Sequence, residues 1–355
     1  MKKIMQNKGN IFIALFILIT LTVLHSCKKD NPIVLNQSFT HVNLVSSNGV
    51  TGTRTDANLI NGWGMSFSPT GTAWISSANN GVSVVYDKTG AQKLAPVNIP
   101  SPTAATGGFP TGQVFNATTD FILPNANPAK FIFAGADGII SAWNGGTAAV
   151  KVVDRSATSS YLGLTNGANG SLNYLYAANF KTGKIDVFDK NFALTTISFT
   201  DPGLPAGYSP FNIQNIGGQL YVMYAKINPA TFDEVKGGGF GFVDIYNTDG
   251  SFVKRFASQG PLNAPWGIAQ APATFMSTGI PSILIGNFGD GRINAYDLSG
   301  NYLGDLRSSG TEVIIDGLWG ISFAPTTATL VDPNWLFYSG GPAGESQGVF
   351  GYITK

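Results

Sequence analysis

A glycine or asparagine that follows an aromatic residue by one to three positions recurs at nearly even intervals along the chain. Its six positions are Gly64, Gly112, Gly163, Asn212, Gly267 and Gly320, in contexts such as "GWGMSFSP" and "LWGISFAP". The intervals are 48, 51, 49, 55 and 53 residues. This period constrains the fold more than any other feature, because a chain of similar units buries its apolar faces by packing each unit against its neighbours.

The first five units carry a second mark, an aromatic residue followed by Asp or Asn. The copies are Tyr86-Asp87, Trp143-Asn144, Phe188-Asp189, Tyr246-Asn247 and Tyr296-Asp297. The fifth unit reads as four short strands, "WGIAQAP", "SILIGNF", "GRINAYD" and "NYLGDLR", with turn residues between them. No stretch longer than a turn or two has helical periodicity. Four strands per unit of this length are typical of a β-propeller blade.

The two ends of the chain complement each other in this interpretation. The sixth unit has only three strands and ends in "GVFGYITK", whereas an unassigned strand, "SFTHVNLVSS" at 38–47, precedes the first unit. Pairing that strand with the last unit would close the ring and remove an open sheet edge. We therefore predict an all-β fold over residues 38–355, a six-bladed β-propeller with four-stranded blades whose last blade is closed by the N-terminal strand.

Composition agrees with a β-protein and excludes one class of partner. Of 355 residues, 44 are Gly and 19 are Pro, and only 12% are charged. Abundant glycine and low charge fit short strands joined by tight turns. The formal net charge is +1, with no basic stripe. We therefore expect no nucleic-acid partner.

The first 27 residues differ from the rest. Three lysines precede an apolar run at 11–24, and the run ends in "LHSC" at 24–27. This resembles a bacterial lipobox, which implies a leader at 1–26, cleavage before Cys27, lipid on its thiol and a tether at 27–37. An uncleaved anchor helix is the alternative. A lipidated Cys27 would place the protein in the cell envelope, on the outer membrane at its periplasmic side or the cell surface.

Few residues remain for catalysis in the mature chain. Cys27 is the only cysteine, and His41 is the only histidine after residue 26. Disulfides, a thiol nucleophile and a multi-histidine metal site are therefore excluded. The "GESQG" stretch at 344–348 matches the nucleophile-elbow pattern, but that motif needs a following helix and a histidine base. We therefore do not expect a serine hydrolase.

Several longer motifs carry a family resemblance. "NLVSSNGVTGTRTDANLINGWGMSFSPTG" and "LPAGYSPFNIQNIGGQLYVMYAK" resemble a family of exported bacterial β-propeller proteins of uncharacterised function, over about residues 38–355. The blade pattern "YLYAANFKTGKIDVFD" more remotely resembles NHL repeats and the senescence-marker and gluconolactonase group of six-bladed propellers. That group includes calcium-dependent lactonases, so the resemblance implies a metal-dependent enzyme as an alternative at the level of the fold.

In a propeller, the turns between second and third strands share one face with the starts of the innermost strands, and this face is the expected ligand site. The candidate ligand-binding residues there are Asn61, Asn79, Asp137, Asn179, Tyr208, Lys226, Asn263, Asn287, Asp290, Asp316 and Glu345. Asn80 and Arg292 lie in the same turns. The alternative is that these Asn and Asp residues only form turns. If a Ca²⁺ ion is bound, its expected oxygen ligands are Asp137, Asn179, Asn287 and Glu345; no cofactor is otherwise required.

Two further features have two interpretations each. We expect Trp63, Trp266 and Trp319 to fill space between blades, with a ligand platform as the alternative. The long turn at 225–241 is either a lid over the axis or surface growth.

The first hypothesis is therefore a monomeric, membrane-anchored binding module for an extracytoplasmic carbohydrate, small molecule or protein. The alternative is a divalent-metal-dependent, lactonase-like hydrolase or lyase. A purely structural interaction protein is the third.

Overall fold

A computed structural model of the protein describes residues 38–355, except 51–52, 277–278 and 280. The predicted leader, the lipidated Cys27 and the tether lie outside the described residues. Within the described part, no helix has the length and apolar character needed to cross a membrane. The only helical element there is a single 3₁₀ turn, Ala78–Asn80.

The described residues form six mainly antiparallel sheets, one for each repeat unit, and a separate two-stranded hairpin. The innermost strands are Gly62–Phe67, Pro110–Phe115, Tyr161–Asn169, Tyr208–Ile216, Pro265–Ala271 and Leu318–Phe323. The second strands are Ala73–Ser77, Phe131–Gly135, Leu172–Asn179, Gln219–Ile227, Ser282–Asn287 and Leu336–Gly340. The third strands are Val82–Tyr86, Ile139–Trp143, Lys184–Phe188, Gly241–Tyr246, Ile293–Asp297 and Val349–Thr354. The outer strands are Gln92–Asn98, Val150–Asp154, Phe252–Ser258, Tyr302–Asp305 and Thr40–Ser46.

The six-bladed prediction is confirmed, and so is the way in which the ring closes. Thr40–Ser46 pairs antiparallel with Val349–Thr354 and supplies the fourth strand of blade 6. A short strand, Arg54–Thr55, adds a parallel pair outside it. Two other short additions are Glu234–Val235, which pairs with the second strand of blade 4, and the hairpin of Arg307–Ser308 with Thr311–Glu312.

Blade 3 departs from the predicted four strands. Its sheet has three strands, and only an isolated bridge between Phe188 and Leu194 marks the outer position. The physical reason lies in the segment after Asp189, "KNFALTTISFT", which lacks a clean alternation of apolar and polar residues. Its backbone instead follows the edge with single bonds such as Thr195 N–H to the Val187 carbonyl at 2.8 Å.

The recurring glycines lie where innermost strands of neighbouring blades touch. A Cβ atom on Gly64 would lie 2.4 Å from the Thr111 carbonyl oxygen, and one on Gly112 would lie 2.5 Å from the Leu164 nitrogen. Contacts of this length are closer than any side chain tolerates. The repeat therefore reflects backbone-to-backbone packing around the axis.

The three tryptophans after which the chain places glycine meet one another at the axis. The rings of Trp63 and Trp319 stack with centroids 3.5 Å apart, and Trp266 meets both edge-on at 6.0 and 5.9 Å. Trp266 Nε1 donates to the Leu162 carbonyl of blade 3 at 3.2 Å, across the axis from its own blade. All three are buried. The packing interpretation is therefore right, but the indoles fill the axis itself and not the gaps between blades.

Candidate ligand site at one end of the axis

A cavity of about 220 Å³ lies on the face where we expected the site. Its wall comes from four segments that are distant in sequence: the turn after the second strand of blade 5, the start of the innermost strand of blade 6, the turn after the second strand of blade 6, and the long turn of blade 4. The lining residues are Lys236, Phe288–Gly291, Ile314, Asp316, Gly317, Gly341, Gly344 and Glu345. Of the predicted residues, Asp290, Asp316 and Glu345 therefore lie together at one cavity.

Glu345 is held by a chain of hydrogen bonds that begins at the axial tryptophan. Trp319 Nε1 donates to Asn61 Oδ1 at 2.8 Å, and Asn61 Nδ2 donates to Glu345 Oε2 at 2.8 Å. Asn79 Nδ2 donates to the Glu345 carbonyl oxygen at 2.8 Å. The amide of Asn61 is thereby oriented from both sides, and it presents the carboxyl group to the cavity in one position.

The backbone of this corner is strained. Asn61, Ala343 and Glu345 have φ angles of 53°, 55° and 67°, in the left-handed region that residues other than glycine rarely adopt. Ala343 N–H also donates to Asp316 Oδ2 at 2.9 Å, which ties the turn to the start of the innermost strand of the same blade. Strain of this kind persists only where the surrounding contacts enforce it, and it is concentrated at functional sites.

Burial raises the pKa values of two carboxyl groups at this corner. Burial raises the pKa of Glu345; the hydrogen bond from Asn61 and the charge of Lys236 oppose that shift, and the charge of Asp233 adds to it. Burial likewise raises the pKa of Glu234 to about 7. The charge of Lys236 opposes this shift, and the charge of Glu345 adds to it. Two carboxyl groups with raised pKa values that both interact with the charge of one lysine are a pattern common at binding and catalytic sites.

The long turn of blade 4 supplies the cationic wall. Glu234–Val235 folds back onto the second strand of its own blade, and this directs Lys236 toward blade 5. The Lys236 ammonium lies 3.8 Å from the centroid of the Phe288 ring, and Gly237 N–H donates to Asn263 Oδ1 at 2.7 Å. The turn is therefore anchored at the cavity edge through Lys236 and Gly237, and its role as a lid stays a prediction.

Asn263, Asn287 and Asp290 form a second cluster beside the cavity. Asp290 accepts from Asn287 Nδ2 at 3.1 Å and from Asn263 Nδ2 at 3.3 Å, and Asn287 Oδ1 accepts from Asn263 N–H at 3.1 Å. Arg292 pairs with Asp290 and with Glu312 at 3.3 and 2.7 Å. Asn263 and Asn287 are buried and act as the scaffold of this turn, so only Asp290 presents a group to the cavity.

The remaining candidates lie apart from the cavity lining. Asn179 donates to Asp186 Oδ2 at 3.0 Å, and Asp137 accepts from Phe109 N–H at 3.2 Å, so each braces its own blade. Tyr208 packs edge-on against Phe242, with ring centroids 4.7 Å apart. The Lys226 ammonium lies 4.1 Å from the centroid of the Phe240 ring. Asn80 donates to the Ala57 carbonyl at 2.8 Å.

The four proposed calcium ligands have separate partners. Within the described residues, no hydrogen bond joins any two of Asp137, Asn179, Asn287 and Glu345, and no group of three or more His, Cys, Asp or Glu side chains is arranged to hold a metal ion. The calcium site stays a prediction.

Sequence reasoning missed three contributors to the cavity: the Phe288 floor, the Lys236 wall and the indole donor of Trp319. The charged stretch "FDEVKGGG" within the long turn was the available signal for Lys236. No local pattern marks Phe288 or the Trp319–Asn61 bond, because their partners come from other blades.

The comparisons with known proteins bear on the family and on the fold. No model of a known protein family matches the chain. The uncharacterized protein R648 of Acanthamoeba polyphaga mimivirus is 35% identical over 334 residues, which cover 88% of this chain and 79% of that protein. The chain belongs to the family of this viral protein. A second member, uncharacterized protein L690 of the same virus, is 32% identical over 334 residues, which cover 88% of this chain and 84% of its own. A bacterial exported family is not shown by these relatives.

Solved structures similar to this family member are propeller-like. A protein of unknown function from Bacteroides thetaiotaomicron superposes with a TM-score of 0.55 at 11% identity, covering 89% of this chain and 76% of its own. A streptogramin B lyase superposes with a TM-score of 0.52 at 14% identity, covering 89% of this chain and 97% of its own. Virginiamycin B lyase from Staphylococcus aureus superposes with a TM-score of 0.50 at 13% identity, covering 90% of this chain and 99% of its own. At these identities the likeness shows the six-bladed fold alone.

Proposed function

We propose that this protein is a binding propeller and that its ligand is a small, hydroxyl-rich molecule of the carbohydrate class held in the cavity between Lys236 and Glu345. The observation that carries the proposal is the lining of that cavity by the carboxyl groups of Asp290, Asp316 and Glu345 together with the ammonium of Lys236. Carboxylates accept hydrogen bonds and do not donate them, so the lining selects ligands rich in donors. A volume of about 220 Å³ suits one small unit.

A second candidate function is acid–base catalysis at the same cavity, by a lactonase-like hydrolase or lyase. The raised pKa values of Glu345 and Glu234 favour it, because a general acid at near-neutral pH needs a pKa above that of a free carboxyl group. Glu345 would donate the proton, and Lys236 would stabilise negative charge on the reacting oxygen.

Saturation-transfer NMR on the chain that starts at Cys27, with neutral monosaccharides and amino sugars as probes, tests both candidates. We expect Glu345→Gln to weaken binding about tenfold, because a charge-assisted hydrogen bond is lost from a buried site. Asp154→Asn, on the outer strand of blade 2, is the control and should bind like the parent chain. Binding that is unchanged in Glu345→Gln, or no binding by any probe, would rule out this site.

The same samples distinguish the candidates. Consumption of a lactone probe with a rate that is lost in Glu345→Gln supports the enzyme, whereas binding without turnover supports the binding module. Each titration is run with calcium and with chelator; a requirement for calcium would support the metal-dependent form, and identical curves would exclude it.

The cellular setting is also a proposal. We infer from "LHSC" at 24–27 that lipid on Cys27 holds the propeller at a membrane surface outside the cytoplasm. Expression of the full chain in a bacterial host should place it in the membrane fraction, and Cys27→Ser should move it to the soluble fraction. A parent chain that is soluble in the cytoplasm would contradict the anchor.

A further inference from the structure

The axis is open at the end opposite the Lys236–Glu345 cavity, where the innermost strands finish. A cavity of about 370 Å³ lies there, and its polar lining residues are Ser66, Gln113, Thr165, Asn166, Gln214, Asn215 and Ser322. A groove of about 770 Å³ continues from it between blades 4, 5 and 6 and shares Gln214, Asn215, Ser322, Phe323 and Pro325 with it. The mouth and the groove together form one extended surface, called here the amide mouth.

The amide mouth is uncharged. Its lining among the described residues contains no Asp, Glu, Lys, Arg or His in either the cavity or the groove. This contrasts with the cavity at the other end, which has three carboxyl groups and a lysine. The axial tryptophans and a constriction of about 30 Å³ lie between the two ends. A ligand in one cavity therefore has no path to the other through the axis.

Several polar groups of the amide mouth have hydrogen-bonding capacity that the described protein does not use. The side-chain amide of Gln214 makes no hydrogen bond to any described residue, although it lines the mouth, the groove and the constriction. Ser66 Oγ is buried and has no hydrogen-bond partner there. By contrast, Gln113 Nε2 already donates hydrogen bonds to the carbonyls of Gly64 and Trp74 at 2.8 and 2.7 Å. The half-buried Gln214 amide is free to pair with a bound molecule, and the Ser66 hydroxyl lacks the partner that a buried polar group needs.

The walls between these polar groups are apolar. Phe115 and Phe323 are half-buried and border the mouth, and Pro325 lies beside Phe323. The groove continues along Ile268–Pro272, with Gln270 exposed on its edge. Amide and hydroxyl groups that alternate with flat apolar surfaces match a molecule with polar edges and apolar faces. An ionised ligand would lose its hydration without gaining a counter-charge.

We propose that the amide mouth is a second ligand site and that it binds a neutral oligosaccharide, with one sugar unit at Gln214 and Ser66 in the axial mouth and the next units along the groove. This site is independent of the function proposed above, since it lies at the other end of the axis and has an uncharged lining. The mouth and groove, of about 370 and 770 Å³, have room for an oligomer, whereas the charged cavity of about 220 Å³ takes a single unit.

The test uses the chain that starts at Cys27 with cellohexaose, maltohexaose and mannohexaose as neutral probes and a galacturonic acid hexamer as the charged counterpart, followed by saturation-transfer NMR and calorimetry. We expect at least one neutral hexamer to bind and the charged hexamer not to bind. Gln214→Ala should weaken the binding at least fivefold, and Ser66→Ala, which removes a hydroxyl that has no partner among the described residues, should weaken it about twofold to fivefold. Gln92→Ala, on the outer strand of blade 1, should bind like the parent chain.

Three results would overturn the proposal: no transfer to any neutral hexamer, equal affinity in Gln214→Ala and the parent chain, or loss of binding in Glu345→Gln, which would place the ligand in the charged cavity. Thermal melts of every variant establish that it is folded. If Gln214→Ala does not fold, Ser66→Ala decides alone, and an affinity equal to that of the parent chain then counts against the site. Because Glu345→Gln leaves the amide mouth intact, failure of the first proposed function does not alter this outcome.

Discussion

At the scale of single residues, glycine decides whether the blades can meet. Gly64, Gly112 and Gly163 occupy successive innermost strands, and each lies against the backbone of the next blade with no room for a Cβ atom. Asn212 takes the corresponding place in blade 4 and uses its side chain, since its Nδ2 donates to the Trp266 carbonyl at 2.7 Å. The departure from glycine in that copy is therefore compensated by a hydrogen bond to the following blade.

Gly112→Ala tests this packing. The new methyl group would lie 2.5 Å from the Leu164 nitrogen and would force two innermost strands apart. We expect the free energy of unfolding to fall by about 2–3 kcal/mol, at the upper end of overpacking effects. Guanidinium melts measure the loss. Gly145→Ala is the matched control, because a Cβ atom added there would meet nothing within 4 Å, and its change should stay within about 0.5 kcal/mol; equal effects in the two variants would refute the packing argument.

Asn61 shows how far single residues can be interpreted from sequence. Its position before an innermost strand indicated the right face and made it a ligand candidate. The structure instead places it between Trp319 and Glu345 as a positioning residue, with its own side chain buried. Both partners lie more than 250 residues away along the chain. No local pattern encodes a contact of that separation.

At the scale of elements, the long turn of blade 4 distinguishes this site from a plain ring of turns. The other turns on this face are short and bring mainly Asn, Asp and Gly. The long turn crosses to blade 5, where Lys236 meets Phe288 and Glu234 lies near Glu345. The length and charge of the turn were visible in the sequence, but the direction in which it folds depends on the short pairing of Glu234–Val235 with blade 4.

The ionisation of Glu234 gives this element a pH dependence. Its folded-state pKa is raised to about 7, above the ordinary value of 4.5. The stability that the protonated Glu234 carboxyl group contributes is therefore fully present below pH 4.5 and is lost as the pH rises through about 7. Glu234→Gln removes the charge. We expect it to raise the free energy of unfolding by about 1–3 kcal/mol at pH 8 and to change it little at pH 4.

Urea melts at the two pH values measure this difference. Glu312→Gln should have the opposite effect and lower the free energy of unfolding at pH 8. The reason is that the hydrogen bond from Arg292 holds the pKa of Glu312 below its usual range. A depressed pKa contributes stability that is present above the unfolded value and is lost as the pH falls. A Glu234→Gln effect that does not vary with pH would show that the long turn does not bury the carboxyl group.

At the scale of the whole molecule, ring closure places residues from the two ends of the chain in one blade. Thr40–Ser46 completes blade 6, and His41 Nε2 lies 2.5 Å from Tyr338 Oη inside that sheet. His41, the only histidine after residue 26, is thus a structural residue of the outermost strand and lines neither axial cavity. Closure also gives the axis two unlike ends, one charged and narrowed by aromatic rings, the other open and uncharged.

The sequence by itself determined the number of blades, the order of strands, the closing strand and the face on which Asp290, Asp316 and Glu345 converge. These features follow from patterns repeated within each unit of about 50 residues, and local hydrogen bonding and alternation are sufficient to specify them. Only the tertiary structure decided that three tryptophans meet at the axis, that Lys236 faces Glu345 and that Gln214 lines the opposite end without a hydrogen-bond partner among the described residues. Those features arise where side chains from three or more blades converge, and such contacts depend on the curvature of the closed ring, which no single repeat contains.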